Sequence, residues 1–216
     1  MSFYIESSSQ DTFVPVPVGS HLGRCYRIID LGTQRTEYMG EVKFLRKVMF
    51  GWELHGEDGV GNPLLTAKGE PMAIFKNYTL SLSEKANLRH DLQSWRGKDF
   101  TDDELRRFDI SVVLGQWGMV NVVHRPGKDG KIFSNVKTVT AVPSMVKKMG
   151  FPEGHNPLQV FKLASPDVAM FETFSKGLKA KIEASPEWKA FNDRKAAPTT
   201  SPDANPVGDM EDDLPF

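Results

Sequence analysis

The sequence predicts a mainly β protein with one helix set between its strands, followed by a helical segment and an acidic tail. Three observations carry that expectation. Apolar and polar residues alternate in several stretches of residues 21–142. The period turns helical within that span at Leu88, Leu92 and Trp95. After Pro143 it stays helical to about residue 195, and the chain then runs through Ala, Pro, Thr, Ser and Asn into acid.

Residues 1–20 are Ser-rich and then Pro-rich at Val14-Pro15-Val16-Pro17-Val18, and read as an extended arm. A first strand starts near His21 and includes Arg24–Leu31, rich in β-formers. Gly32–Glu41 reads as a polar loop carrying Arg35 and Tyr38. The clearest alternation follows. Val42, Phe44, Val48, Phe50, Trp52 and Leu54 share one face, with Arg46 the exception. Lys43, Leu45, Lys47, Met49 and Glu53 share the other, so a long half-buried strand with a basic outer face is expected. Residues 55–71, broken by Gly and Pro, read as loop. A third strand spans about Met72–Leu82, with Ile74, Tyr78, Leu80 and Leu82 on one face and Ala73, Phe75, Asn77, Thr79 and Ser81 on the other. Trp52 and Tyr78 fall on the core side.

Ser81 with Glu84, or Ser83 alone, offers an N-cap to the helix that ends near Gly97. Thr101 and Glu104 form a second capping box, opening a short helix to about Phe108. Two last strands, Gln116–Arg125 and Lys131–Val142, are joined by a turn containing Asp129-Gly130. The order β–β–β–α–β–β is that of an OB-fold, a five-stranded, partly open barrel. It is expected over residues 21–143. Residues 144–195 form a helical appendage, with Ser165 as an N-cap before Pro166 and the same device at Ser185-Pro186. Residues 196–216 read as a disordered linker and an acidic tip.

Composition bounds the function. Lys and Arg total 27, Asp and Glu 28. The balance hides a split: residues 1–195 hold all 27 basic and 23 acidic residues, while residues 196–216 hold five acids and no base. The fourteen Phe, four Trp and four Tyr exclude a wholly disordered chain. One cysteine excludes a disulfide scaffold and a multi-Cys metal site. No apolar run is long enough for a membrane helix, and Met1–Gln10 lack the features of a signal peptide, so a cytoplasmic protein is expected.

The chain ends Asp209-Met210-Glu211-Asp212-Asp213-Leu214-Pro215-Phe216. Phe216 can fill an apolar pocket, its terminal carboxylate can meet an Arg or Lys, and the acids can rest on a basic rim. This tip resembles the C-terminus of bacterial and phage single-stranded DNA-binding proteins, with Leu214 where the bacterial pattern usually has Ile. Ile29–Gln34, Gly51–Leu54, Tyr78–Leu82, Leu92–Gly97 and Val120–His124 look like segments of a group of phage-encoded, replication-associated proteins of that type. The resemblance implies single-stranded DNA as one partner. It also implies docking of replication, recombination or repair proteins by Asp209, Glu211, Asp212, Asp213, Leu214, Pro215 and Phe216. It implies neither catalysis nor a cofactor, and a homo-oligomer is compatible with it.

Sequence-tolerant binding of a single strand needs cations for phosphates and aromatic faces for bases. The candidate phosphate contacts are Arg35, Lys43, Lys47, Lys76, Arg125, Lys128 and Lys131. The candidate stacking residues are Phe75, Trp117 and Phe133, with Tyr38 in the first loop. They map to the second and third strands and to the loops that OB-folds use for oligonucleotides.

Rival functions have weaker signals. No H-x-x-x-H, P-loop, G-x-S-x-G or G-x-G-x-x-G motif occurs. Asp99, Asp102, Asp103 and Glu104 could hold a nuclease metal, but their spacing suits helix capping. Cys25 lies within a strand, where burial leaves a thiol inert. A protein–protein adaptor in a phage replication complex, with no direct DNA contact, is the alternative function.

Overall fold

The computed structural model describes residues 14–127 and 129–196. Five strands lie side by side in one antiparallel sheet. They are β1 (Gly19–Tyr38), β2 (Glu41–His55), β3 (Ala73–Thr79), β4 (Trp117–Pro126) and β5 (Ile132–Thr140), in the spatial order β3-β2-β1-β4-β5. A sixth strand, β6 (Gln159–Phe161), joins β1 in parallel. The protein is mainly β, as expected, with helices after the fifth strand.

β1 is twenty residues long because the span expected to be a loop is strand. Thr33 pairs with Arg46, Thr36 with Lys43 and Tyr38 with Glu41. The β-formers Thr33, Thr36 and Tyr38 extend the ladder, and the chain reverses over Met39 and Gly40. Both have positive φ, at 50° and 80°, as a two-residue hairpin turn with the twist of the strands requires. This hairpin runs past the core. Val42 and Phe44, expected on the buried face, are therefore 43% and 68% exposed, while Val48, Phe50, Trp52 and Leu54 on that face are buried.

Two bulges, after Cys25 and after Asp30, bend β1. Its first third, Gly19–Arg24, pairs with β4; Arg27–Ile29 then take β6. The bulges also switch its side chains between two cores. Cys25 and Ile28 join Phe50, Trp52 and Tyr78 in the first core, and Ile29 and Leu31 join the second.

The outer strands β3 and β5 approach without a backbone ladder, so the sheet is curved but not closed. Side chains bridge the gap: the Lys76 ammonium donates to the Lys137 carbonyl at 2.9 Å. The described end of the N-terminal arm, from residue 14, packs beside β4 and β5. Val16 is buried, and its carbonyl accepts from His124 Nε2 and Ser134 Oγ, both at 2.8 Å.

Helix α1 (Asn87–Arg96) covers one side of the first core with Leu88, Leu92 and Trp95, and the Trp95 indole donates to the Trp117 carbonyl at 2.8 Å. It starts later than the serines suggest, with Ala86 as an N-cap that supplies no side-chain bond. Ser81 instead accepts from the Ser83 amide, tying the preceding turn. Helix α2 (Asp102–Arg106) has the expected box: Glu104 N donates to Thr101 Oγ1, and Thr101 N to Glu104 Oε2.

The C-terminal segment comprises α3 (Ser144–Met149), β6, α4 (Val168–Glu172), α5 (Lys176–Glu183) and α6 (Pro186–Ala196), and from β6 onward it packs on the outer side of β1. Phe161, Phe171, Phe174, Leu178, Ile182 and Trp188 meet Ile29 and Leu31 in the second core. Asp167, not Ser165, caps α4, its Oδ1 accepting from Met170 N at 2.9 Å. Ser185 caps the last helix as expected, accepting from Trp188 N.

Candidate nucleic-acid interface

The outer face of β3 carries one exposed aromatic of the expected site. Ile74 and Tyr78 point into the first core, so alternation turns Phe75 and Asn77 outward. Phe75 is 41% exposed. The Cδ1–Cε1 edge of its ring lies against Gly51, its register partner on β2, where an added Cβ would come within 2.6 Å of Cε1. Tyr26 meets the same ring edge-on at 6.3 Å between centroids. Phe75 is thus a held aromatic surface facing outward.

Two grooves share Phe75. One, of about 570 Å³, lies toward the arm and the β2–β3 loop, with Val14, Lys68, Met72 and Ser134 in its walls. The other, of about 490 Å³, lies toward the C-terminal segment and is lined by Arg27, Asn77 and Lys181. Arg27 is fixed there. Its Nε donates to Gln159 Oε1 at 2.7 Å, and its guanidinium stands 5.3 Å from the Tyr26 ring centroid and 5.8 Å from that of Phe174. A third groove further along β2 and β3, of about 590 Å³, is bordered by Phe44, Lys47, Thr79 and Lys85. Lys47 Nζ donates to Thr79 Oγ1 at 2.7 Å and keeps two donors for other acceptors.

The remaining expected residues divide. Arg35 and Lys43 stand exposed near the hairpin tip, in ion pairs with Glu37 at 3.0 Å and Glu41 at 2.8 Å. Such exposed pairs are weak and open readily to a phosphate. Tyr38 ends β1 beside the turn. On the β4–β5 hairpin, Arg125 is exposed opposite Phe133, itself 48% exposed, and Lys131 pairs with Asp129 at 3.3 Å. Lys128 lies outside the described residues, as does the whole tip from Asp209 to Phe216.

Two expectations are corrected. Lys76 is not a surface cation, because it shares the inward parity of Ile74 and Tyr78. Its ammonium lies 2.6 Å from Asp91 Oδ2, which also accepts from Tyr78 Oη at 2.6 Å. Burial, then the Asp91 charge, pushes the Tyr78 phenol far above its ordinary value. Trp117 is not a free stacking face. Phe151 lies parallel on it, 5.2 Å between centroids and 6° between planes, and His55 meets it edge-on at 5.0 Å. Sequence reasoning passed over Arg27, Phe44 and Lys181 as site residues. Only Phe44 carried a signal, as an aromatic near the end of a strand that outruns its core.

Cys25, Glu104 and Asp99 are each buried or engaged in structure. Burial pushes the Cys25 thiol up to about 12. Glu104 serves the capping box and pairs with Arg96, and Asp99 accepts from Gln93 Nε2 at 2.9 Å. Among the described residues no group of three His, Cys, Asp or Glu side chains is placed to hold a metal ion. No helix among them is long and apolar enough to cross a membrane. Compared with protein-family models and with curated proteins, the chain matches none.

Proposed function

We propose that this chain is a non-catalytic, single-stranded DNA-binding protein of the phage type, built on an open OB-type barrel. The sheet order β3-β2-β1-β4-β5, with α1 between β3 and β4, supports the barrel. The observation that carries the function is Phe75: an outward aromatic ring with one edge against Gly51, shared by two grooves whose walls hold Lys68 with Glu70 and Arg27 with Lys181. Bases of any identity stack on such a ring, and cations track the phosphates. The exposed Arg35, Lys43, Arg125, Lys131 and Phe133 extend the path over the two hairpins. The acidic tip recruits replication, recombination or repair proteins.

Titration of a labelled oligo-dT by fluorescence anisotropy tests the proposal, with duplex DNA as the comparison. Preference for the single strand, weakening with salt, is expected. The log–log slope divided by about −0.7 counts the phosphates engaged. Phe75→Ala is expected to weaken binding by the worth of one stacked base, about 1–3 kcal/mol, while Phe75→Trp retains it. Absence of single-strand binding, also after removal of residues 209–216, would overturn the proposal in favour of a protein adaptor.

The tail, with five acids and no base over residues 196–216, and the strand both present clustered negative charge to the basic surface. Deleting Asp209–Phe216 is therefore expected to raise affinity for oligo-dT, most at low salt where screening is weakest. Equal affinity of the truncated and full-length chains at low salt would contradict that competition.

A further inference from the structure

The groove between β3 and α5 has a wall that OB-type barrels do not supply from their own strands. We infer that α5 is the second wall of the DNA-binding groove: a nucleotide stacked on Phe75 is enclosed by Gly177 and has its phosphate held by Lys181. This rests on the proposed single-strand binding and assigns part of that site to the C-terminal segment.

Three features support it. The first is the way α5 is anchored. Leu178 and Ile182 are buried in the second core, and the Lys181 carbonyl accepts from Gln34 Nε2 at 2.8 Å. The helix backbone is therefore fixed relative to β1, and with it the root of the Lys181 side chain. The second is the pattern along the helix. Gly177 and Lys181 are four residues apart, so they share one edge, and both line the groove with Phe75 and Asn77. At Gly177 an added Cβ would meet nothing within 4 Å. This part of the wall is open space between a helix and an aromatic ring. The volume of about 490 Å³ falls in the range of about 300–1,000 Å³ typical of small-molecule sites.

The third feature is charge. The two charged residues lining the groove are cations, Arg27 and Lys181. Among the described residues no carboxylate lies within ion-pair distance of either. Arg27 is committed to Gln159 through Nε, whereas Lys181 is exposed. An aromatic ring and two cations in one groove, with no acid in its lining, fit a base with its phosphate. Asn77, exposed beside Phe75, offers an amide to the edge of the stacked base.

The experiment compares four forms of the full chain in oligo-dT anisotropy: wild type, Phe75→Ala, Gly177→Leu and Lys181→Gln. Gly177→Leu fills the groove from the helix side at an ordinary helical position, and is expected to weaken binding about as much as loss of the stack, on the order of 5- to 150-fold. Its thermal unfolding midpoint should not fall. Lys181→Gln, an exposed change that leaves the core untouched, is expected to reduce the log–log salt slope by about 0.7, one phosphate contact. If Phe75→Ala weakens binding while Gly177→Leu and Lys181→Gln bind like wild type, α5 is no wall and the inference fails, with the proposed function intact. If wild type itself does not bind oligo-dT, the proposed function fails and takes this inference with it.

Discussion

Glu53→Ala is expected to cost about 3–5 kcal/mol of folding stability, the loss typical of breaking a buried ion pair on one side. Glu53 is on the face of β2 opposite Trp52 and Leu54, yet it is fully buried. Its Oε1 lies 2.8 Å from Arg24 Nε and accepts from the His155 amide at 3.0 Å and from His55 Nε2 at 3.2 Å. Its Oε2 accepts from the amide and the side chain of Asn156, at 2.6 and 2.7 Å. Removing the carboxylate strands a largely buried guanidinium and two backbone donors at once. Burial pushes the Glu53 carboxyl up, but hydrogen bonds from Asn156 and His55 and the Arg24 charge outweigh it and hold the group below its ordinary 4.5. A lowered folded value means that Glu53 stabilises the fold fully above the unfolded value. That contribution is lost as pH falls through the folded value. Urea unfolding across the acid range measures both effects. Glu53→Gln should lose that part of the pH dependence. A cost under about 1 kcal/mol for Glu53→Ala would refute the role assigned to this network.

Phe161→Ala is the second large effect, expected at about 3–5 kcal/mol. Phe161 is 1% exposed and is the residue of β6 that enters the second core. Its ring meets Phe174 edge-on at 5.2 Å and stacks with Phe171 at 6.1 Å, and Trp188 lies 6.3 Å away. Truncation leaves a cavity between β1 and three helices. The damage should be local: amide exchange is expected to accelerate in α5 and α6 more than in β2 and β4. Uniform acceleration would show that the two cores unfold as one unit.

The second and third strands were legible because they alternate at period two over a core that covers one face, and the others from their β-formers and the turn residues between them. Phe75 was legible for the same reason, and so was the inward parity of Lys76. What the sequence hid was contact at a distance. Trp117 reads as a stacking candidate until Phe151, thirty-four residues on, lies against it. Glu53 reads as solvated until residues 155 and 156 close over it. The strand β6 is three residues long, too short for any period to register. The length of β1 was hidden differently: Gly32 and the polar residues after it look like a loop, and only pairing with β2 makes them a strand.

The exchange of partners along β1 also sets an order in time. Its pairing with β2 closes across a two-residue turn, whereas its pairing with β6 joins residues 132 positions apart, as at Arg27 and Gln159. Closing the longer loop carries the larger entropy cost, so the hairpin is in place before β6 has a template to join. A growing chain would expose Ile29 and Leu31 until the last helices leave the ribosome. The second core, and with it the α5 side of the groove, is therefore the last part of the described fold to form.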